Sequence, residues 1–130
     1  MQIPQELKYT KNHEWIKVLD DGQAIVGITD FAQSELGEIV YVEVETVGEE
    51  LNKDEVFGLV EAVKTTSDLY MPVSGKVEEL NSAIDENEGG NPGLINEDPY
   101  GKGWIIKITM ANPEELEELL SADEYKALIE

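Results

Sequence analysis

Short β-branched runs, each cut off by Gly, Pro, Asp or Asn, constrain this chain more than any other feature. Ala24-Ile25-Val26-Gly27-Ile28 lies between Asp20-Asp21-Gly22 and Thr29-Asp30. Residues 38–44, 56–63, 68–71, 75–80 and 103–108 supply five further runs of the same kind. Strands this short, spaced by turn signals, predict an antiparallel sandwich or barrel. Three helices are expected to interrupt them. Asp30-Phe31-Ala32-Gln33 has the form of a capping box with Asp30 as cap, and its helix ends at Gly37. Asn112-Pro113-Glu114-Glu115 places a cap, a proline and first-turn acids ahead of Leu116, Leu119 and Leu120 on one helical face. Ser121-Ala122-Asp123-Glu124 is a second capping box, followed by Tyr125, Leu128 and Ile129 at helical spacing. Residues 82–99 read as a loop built around Glu88-Gly89-Gly90-Asn91-Pro92-Gly93.

The chain has 130 residues, which fits one domain spanning 1–130 that buries roughly two-thirds of its unfolded surface. It has no Cys, so disulfides, thiolate nucleophiles and Cys-ligated metal sites are excluded. A single His rules out a multi-His metal site. Nine lysines face 29 acids, and the net charge of −20 repels nucleic acid and anionic lipid. No metal is expected, because the acidic stretch Asp85-Glu86-Asn87-Glu88 lacks the spacing of a calcium loop. No apolar run approaches the ~20 residues of a membrane span. The N-terminus has neither a signal peptide's basic and apolar regions nor the Arg of a transit peptide. The expected compartment is the cytoplasm, or a mitochondrial matrix after removal of a presequence.

No nucleophile has an evident base beside it, since His13 is the only imidazole, and no phosphate-binding glycine loop is present. The oddly placed residue is Lys64. It follows the apolar run 56–63 and precedes Thr65-Thr66-Ser67-Asp68, after which Leu69-Tyr70-Met71 begins a new run. Polar residues between two strands predict a hairpin turn, with Lys64 at or near the tip. For most lysines in such a place the reading is a solvated surface residue. An unburied lysine is also a poor base, so any function of Lys64 is better read as an attachment point than as base catalysis.

The segment Phe57-Gly58-Leu59-Val60-Glu61-Ala62-Val63-Lys64-Thr65-Thr66-Ser67-Asp68-Leu69-Tyr70-Met71-Pro72-Val73-Ser74-Gly75-Lys76-Val77-Glu78-Glu79-Leu80-Asn81 resembles the lipoylation hairpin of the glycine cleavage system H proteins. The resemblance extends to Lys8-Tyr9-Thr10, His13-Glu14-Trp15, Val26-Gly27-Ile28-Thr29-Asp30-Phe31-Ala32-Gln33, Leu36-Gly37-Glu38-Ile39-Val40, Leu94-Ile95-Asn96 and Asp98-Pro99-Tyr100-Gly101-Lys102-Gly103-Trp104, in order along nearly the whole chain. It implies a mostly β, barrel-sandwich hybrid of the lipoyl/biotinyl-carrier kind with short peripheral and C-terminal helices. It implies a non-catalytic monomer with lipoate amide-linked to Lys64. The partners implied are a pyridoxal-phosphate glycine decarboxylase (P protein) that loads an aminomethyl group, a tetrahydrofolate-dependent aminomethyltransferase (T protein) that removes it, dihydrolipoamide dehydrogenase (L protein) that reoxidises the arm, and a lipoate-attaching enzyme. A Cys-free chain can serve dithiol chemistry in this way, because the sulfurs belong to the cofactor.

By the same resemblance, Glu61 and Asp68 are recognised by the attaching enzyme. The loaded arm carries an amine into a cleft where Glu14 is the acid and Asn12 a polar contact. Glu35 stands where some family members carry a His, a departure that bears on the cleft's acid–base character. The residues alone give blander roles: Trp15 in the core with polar neighbours at its rim, Asp98–Gly101 as a β-turn, Gly58 and Gly75 as sites of a bend or tight turn, and Pro72 at a strand end. Two rivals share the fold. One is an H-like donor of lipoyl groups to other proteins. The other is a biotin carrier, disfavoured because Val63 and Thr65 flank Lys64 where biotinyl lysines have methionines. A third reading is an acidic interaction module whose Lys64 stays bare.

Overall fold

The structure, a computed structural model, describes residues 1–130. Its strands are β1 (Lys8–Tyr9), β2 (Glu14–Val18), β3 (Gln23–Ile28), β4 (Ile39–Glu43), β5 (Glu50–Leu51), β6 (Val56–Ala62), β7 (Thr66–Tyr70), β8 (Gly75–Leu80) and β9 (Ile106–Met110). All pair antiparallel, in a six-stranded sheet of order β1-β2-β3-β9-β8-β5 and a three-stranded sheet of order β4-β6-β7. The mostly β expectation holds, and the two sheets do not close into a barrel.

Period-2 alternation turns one side of each strand inward. Ala24, Val26 and Ile28 of β3 and Ile106 and Ile108 of β9 are buried, and Val42, Val60 and Leu69 of the smaller sheet are buried in the same core. Each large apolar side chain removed from water there contributes about 1.5–3 kcal/mol. A second apolar cluster joins Leu7, Tyr9 and Trp15 to Ala122 and Tyr125. It docks the C-terminal helix α3 (Ala122–Ile129) on β1, with the Tyr9 and Tyr125 rings stacked at 4.9 Å.

Several local expectations need correction. The cap of α1 (Asp30–Leu36) is Thr29, whose hydroxyl accepts from Ala32 N–H; Asp30 instead takes a bond from the Gln33 amide inside the first turn. The segment Pro113–Glu118 is a 3-10 helix capped by Asn112, and it stops before Leu119. Leu120 then bridges to Tyr9 in extended form, so the three leucines share no helical face. Leu128 of α3 is half exposed. Residues 82–99 hold 3-10 turns at Ser82–Ile84 and Glu86–Glu88 and the one-turn helix α2 (Leu94–Glu97). Asn81 and Asp85 cap the two turns, while fully buried Ile84 and Ile95 pin the segment to the core. The last strand begins at Ile106, three residues beyond the expected start.

Gly58 and Gly75 serve close backbone approach rather than a tight turn. A Cβ on Gly58 would lie 2.5 Å from the Glu43 carbonyl, and one on Gly75 2.5 Å from the Thr109 carbonyl. Pro72 is buried between β7 and β8, where no ladder N–H is required of it. The Asp98–Gly101 turn is present, closed by Gly101 N–H to the Asp98 carbonyl. No helix is long and apolar enough to cross a membrane.

Candidate carrier site

The β6–β7 hairpin is tighter than the polarity pattern implied. Glu61 pairs with Thr66, and Ala62 N–H donates to the Thr65 carbonyl at 2.7 Å. The turn is therefore the two residues Val63 and Lys64. The β-branched threonines continue the ladder instead of forming the loop. Both turn residues are exposed, Val63 to 68%. Lys64 takes part in none of the three ion pairs, which join Lys53 to Glu118, Lys107 to Glu79 and Lys126 to Glu130. Its amine is thus held out at the end of the hairpin with no carboxylate within ion-pair distance.

A cleft of about 250 Å³ opens between the turn before β2, helix α1 and strand β7. Asn12, Glu14, Glu35 and Asp68 all line it, brought together from three separate stretches of chain. Glu61 does not line it; it lies exposed on the hairpin strand before Lys64. Ile28, Phe31, Ala32, Leu36 and Leu69 supply the apolar wall. Ser67, Leu69 and Asp68 belong to β7, so the cleft begins roughly 10 Å along the strand from Lys64.

Glu14 is the buried charge of this cleft, 2% exposed. Each of its two oxygens accepts one hydrogen bond and keeps a further acceptor position. Oε1 accepts from the Thr10 hydroxyl at 2.9 Å and Oε2 from Tyr70 N–H at 3.1 Å. Burial pushes its pKa up to about 7, against the lowering effect of these two bonds. Thr10 organises the whole approach: its hydroxyl oxygen also accepts from Asn12 N–H and Glu14 N–H, and its carbonyl accepts from His13 N–H. That wrapping holds His13 at φ 69°, a left-handed conformation uncommon outside Gly.

His13, Ser67 and Asp68 also line the cleft, and the sequence pattern placed none of the three there. His13 Nδ1 lies 2.8 Å from the Tyr125 hydroxyl, which is 2.7 Å from Thr29 Oγ1. Desolvation lowers the imidazole pKa, partly offset by the negative charge of Glu35. Tyr125 itself is pushed up to about 12 by burial, so its hydroxyl stays protonated and available to donate.

The hairpin thus offers an amine free of ion pairs, and the cleft along its return strand offers an apolar wall and a buried acid. Fold and site together define a two-sheet domain that exposes one unpaired lysine on a hairpin. The comparisons give its family. The family model described as glycine cleavage H-protein matches residues 7–130. The glycine cleavage system H protein of Chlorobium limicola is 55% identical over 130 residues, covering 99% of this chain and 98% of that one. That of Carboxydothermus hydrogenoformans is 54% identical over 128 residues, covering 98% and 95%. The crystal structure of a glycine cleavage system H protein from Mycobacterium marinum superposes with a TM-score of 0.84 at 39% identity, covering 96% of this chain and 97% of that one. The chain belongs to the glycine cleavage H-protein family. It is accordingly a non-catalytic carrier component of the glycine cleavage system, from a family of lipoate carriers, and it works with the other components of that system.

Proposed function

We propose that lipoate is attached as an amide to Nζ of Lys64. The chain then shuttles the aminomethyl group of glycine from glycine decarboxylase to the tetrahydrofolate-dependent aminomethyltransferase, and dihydrolipoamide dehydrogenase reoxidises it. The observation that carries this reading is the exposed, unpaired Lys64 at the tip of a two-residue turn, at the head of the strand that walls the cleft. When bound, the prosthetic group supplies the dithiol chemistry that this Cys-free chain lacks.

The protein's own residues do the rest. Glu14, poised near neutrality, gains from ionising beside a protonated amine and so holds it. Ile28, Phe31 and Leu69 exclude water from the cargo, slowing its hydrolysis. Asn12 and Glu35 offer polar contacts at the rim. Glu61 and Asp68, exposed on the two strands of the hairpin, are the contacts of the lipoate-attaching enzyme. Residues 1–130 act as one monomeric domain. The bacterial origin of its relatives supports placing it in the cytoplasm.

Intact mass of the protein from cells metabolising glycine tests the attachment. One lipoyl increment is expected, and Lys64→Arg should abolish it. A biotin increment, or none, overturns the reading. Glycine-dependent CO2 exchange with glycine decarboxylase separates glycine cleavage from lipoyl donation to other proteins. The lipoylated protein should support that exchange.

A further inference from the structure

The lysine turn lacks the backbone geometry that makes two-residue hairpins stable by themselves. Turns of types I′ and II′, which match the twist of the flanking strands, need a positive φ at the first central residue. The residues other than Gly with positive φ are His13, Asp21 and Asp54, so neither Val63 nor Lys64 qualifies. The turn is held from outside. Val63 N–H, immediately before the lysine, donates to the Glu38 carbonyl at 3.0 Å.

Glu38 is in turn gripped on both sides by one side chain from the far end of the sequence. Asn96 Nδ2 donates to the Gly37 carbonyl at 2.8 Å, and Asn96 Oδ1 accepts from Ile39 N–H at 2.9 Å. Its second Nδ2 hydrogen goes to Gln33 Oε1 at 2.9 Å, on α1. Both donors and the acceptor are used, and the two backbone partners fix which end of the amide is nitrogen. Asn96 therefore sets the position of the carbonyl on which the lysine turn rests.

We infer that Asn96 is a positioning residue for Lys64: its amide brackets residues 37–39 and, through the Glu38–Val63 bond, fixes the presentation of the lysine amine to the enzyme that modifies it. The modification itself rests on the function proposed above; the positioning is readable without it.

Amide hydrogen exchange at Val63 reads the positioning directly. In Asn96→Ala, Val63 N–H should exchange about tenfold faster, the effect of losing a hydrogen bond of ordinary net strength. Central-strand amides such as Val26 and Ile106 should keep their protection. The kcat/KM for lipoate attachment, measured with the full chain and a lipoate–protein ligase, should fall by a similar factor through a raised KM. Asn96→Asp keeps the acceptor for Ile39 but sets a carboxylate against the Gly37 carbonyl; it should give the same direction of change if the alanine variant folds poorly. Val77→Ala, a cavity in the six-stranded sheet, should lower the melting temperature without moving either readout. Unchanged Val63 exchange in both Asn96 variants overturns the inference, as does faster exchange with unchanged attachment kcat/KM. Wild-type protein that accepts no lipoate at Lys64 overturns the proposed function instead, while the exchange result still decides the positioning.

Discussion

The Glu14 carboxylate accepts the backbone N–H of Tyr70 at 3.1 Å, a bond that runs from the second strand of the large sheet to the last residue of the lysine hairpin's return strand. One buried acid thus ties the two sheets together at the base of the cleft. The same carboxyl that could hold a cargo amine also anchors the strand leading back to Lys64.

Burial of this carboxyl makes stability depend on pH in a definite window. Glu14 titrates at about 7 in the folded protein and at an ordinary carboxylate pKa when unfolded, because burial disfavours its charge. Between pH 4.5 and 7 the folded state keeps a proton that the unfolded chain has lost. Stability from this group is therefore fully present below pH 4.5 and is lost as pH rises to about 7. The loss amounts to about 3 kcal/mol. Glu14→Gln should remove that slope. Urea unfolding of both proteins at pH 4.5 and pH 7.5 checks it, and a difference between them that does not change with pH would refute it.

The neighbouring His13 should behave in the opposite sense. Desolvation lowers its pKa, so the folded state takes up a proton less readily than the unfolded chain. Its stabilising contribution is present above the unfolded pKa and is lost as pH falls through the folded one. Because it is the only histidine, its ring protons can be followed without assignment ambiguity. Their midpoint should lie below the ordinary 6.5 of imidazole. Tyr125→Phe removes the hydroxyl shared by His13 and Thr29. It should shift that midpoint and cost about 1–2 kcal/mol of stability by thermal unfolding. An unmoved His13 titration in Tyr125→Phe would show that α3 does not reach the cleft in solution.

Local pattern carried much of the fold. β3, β6 and β8 fall within a residue of their expected bounds because alternation and β-branching agree there. β2 escaped notice because Glu14, a buried acid, breaks the polarity code that the reading relies on. The start of β9 slipped because Trp104, Ile105 and Ile106 form an unbroken apolar run with no period to mark the boundary. The gathering of Glu14, Asn12 and Glu35 in one cleft was legible through the family motif, whereas the place of Asp68 in it was not. Nor were the contacts that shape the cleft. His13 meets Tyr125 across 112 positions, and Asn96 meets Ile39 across 57. No spacing rule spans such distances, since tertiary packing alone decides them.

Gly58 lies opposite a register shift in the β6–β7 ladder, and its Cα faces the Glu43 carbonyl so closely that no side chain fits. Gly58→Ala should force β4 and β6 apart. Overpacking of this kind costs about 1–3 kcal/mol, and the obstacle here is backbone rather than a movable side chain. The melting temperature should drop while the protein, once folded, still accepts its modification at Lys64. A variant as stable as wild type would mean that the two strands can separate at no cost.

Charge should govern how partners find the lysine. Residues 30–70, which include α1 and the three-stranded sheet, hold eleven acids and two lysines, and one of those, Lys53, is paired with Glu118 at 2.7 Å. Lys64 therefore stands as the unpaired cation of a strongly negative stretch. Partner enzymes that dock around it should carry basic rims and be steered to it over distances comparable to the Debye length, about 8 Å at physiological salt. Raising salt from 20 to 500 mM should raise the apparent KM for this carrier in the glycine decarboxylase reaction and leave kcat nearly unchanged, because screening slows encounter without altering the bound site. The attaching enzyme should respond in the same way, and Glu61→Gln should weaken the salt dependence at that enzyme. Half-exposed Val40 and exposed Val63, beside the turn, offer the alternative basis for docking. If they dominated, KM would stay flat or fall with salt, and Val63→Ser would raise it instead.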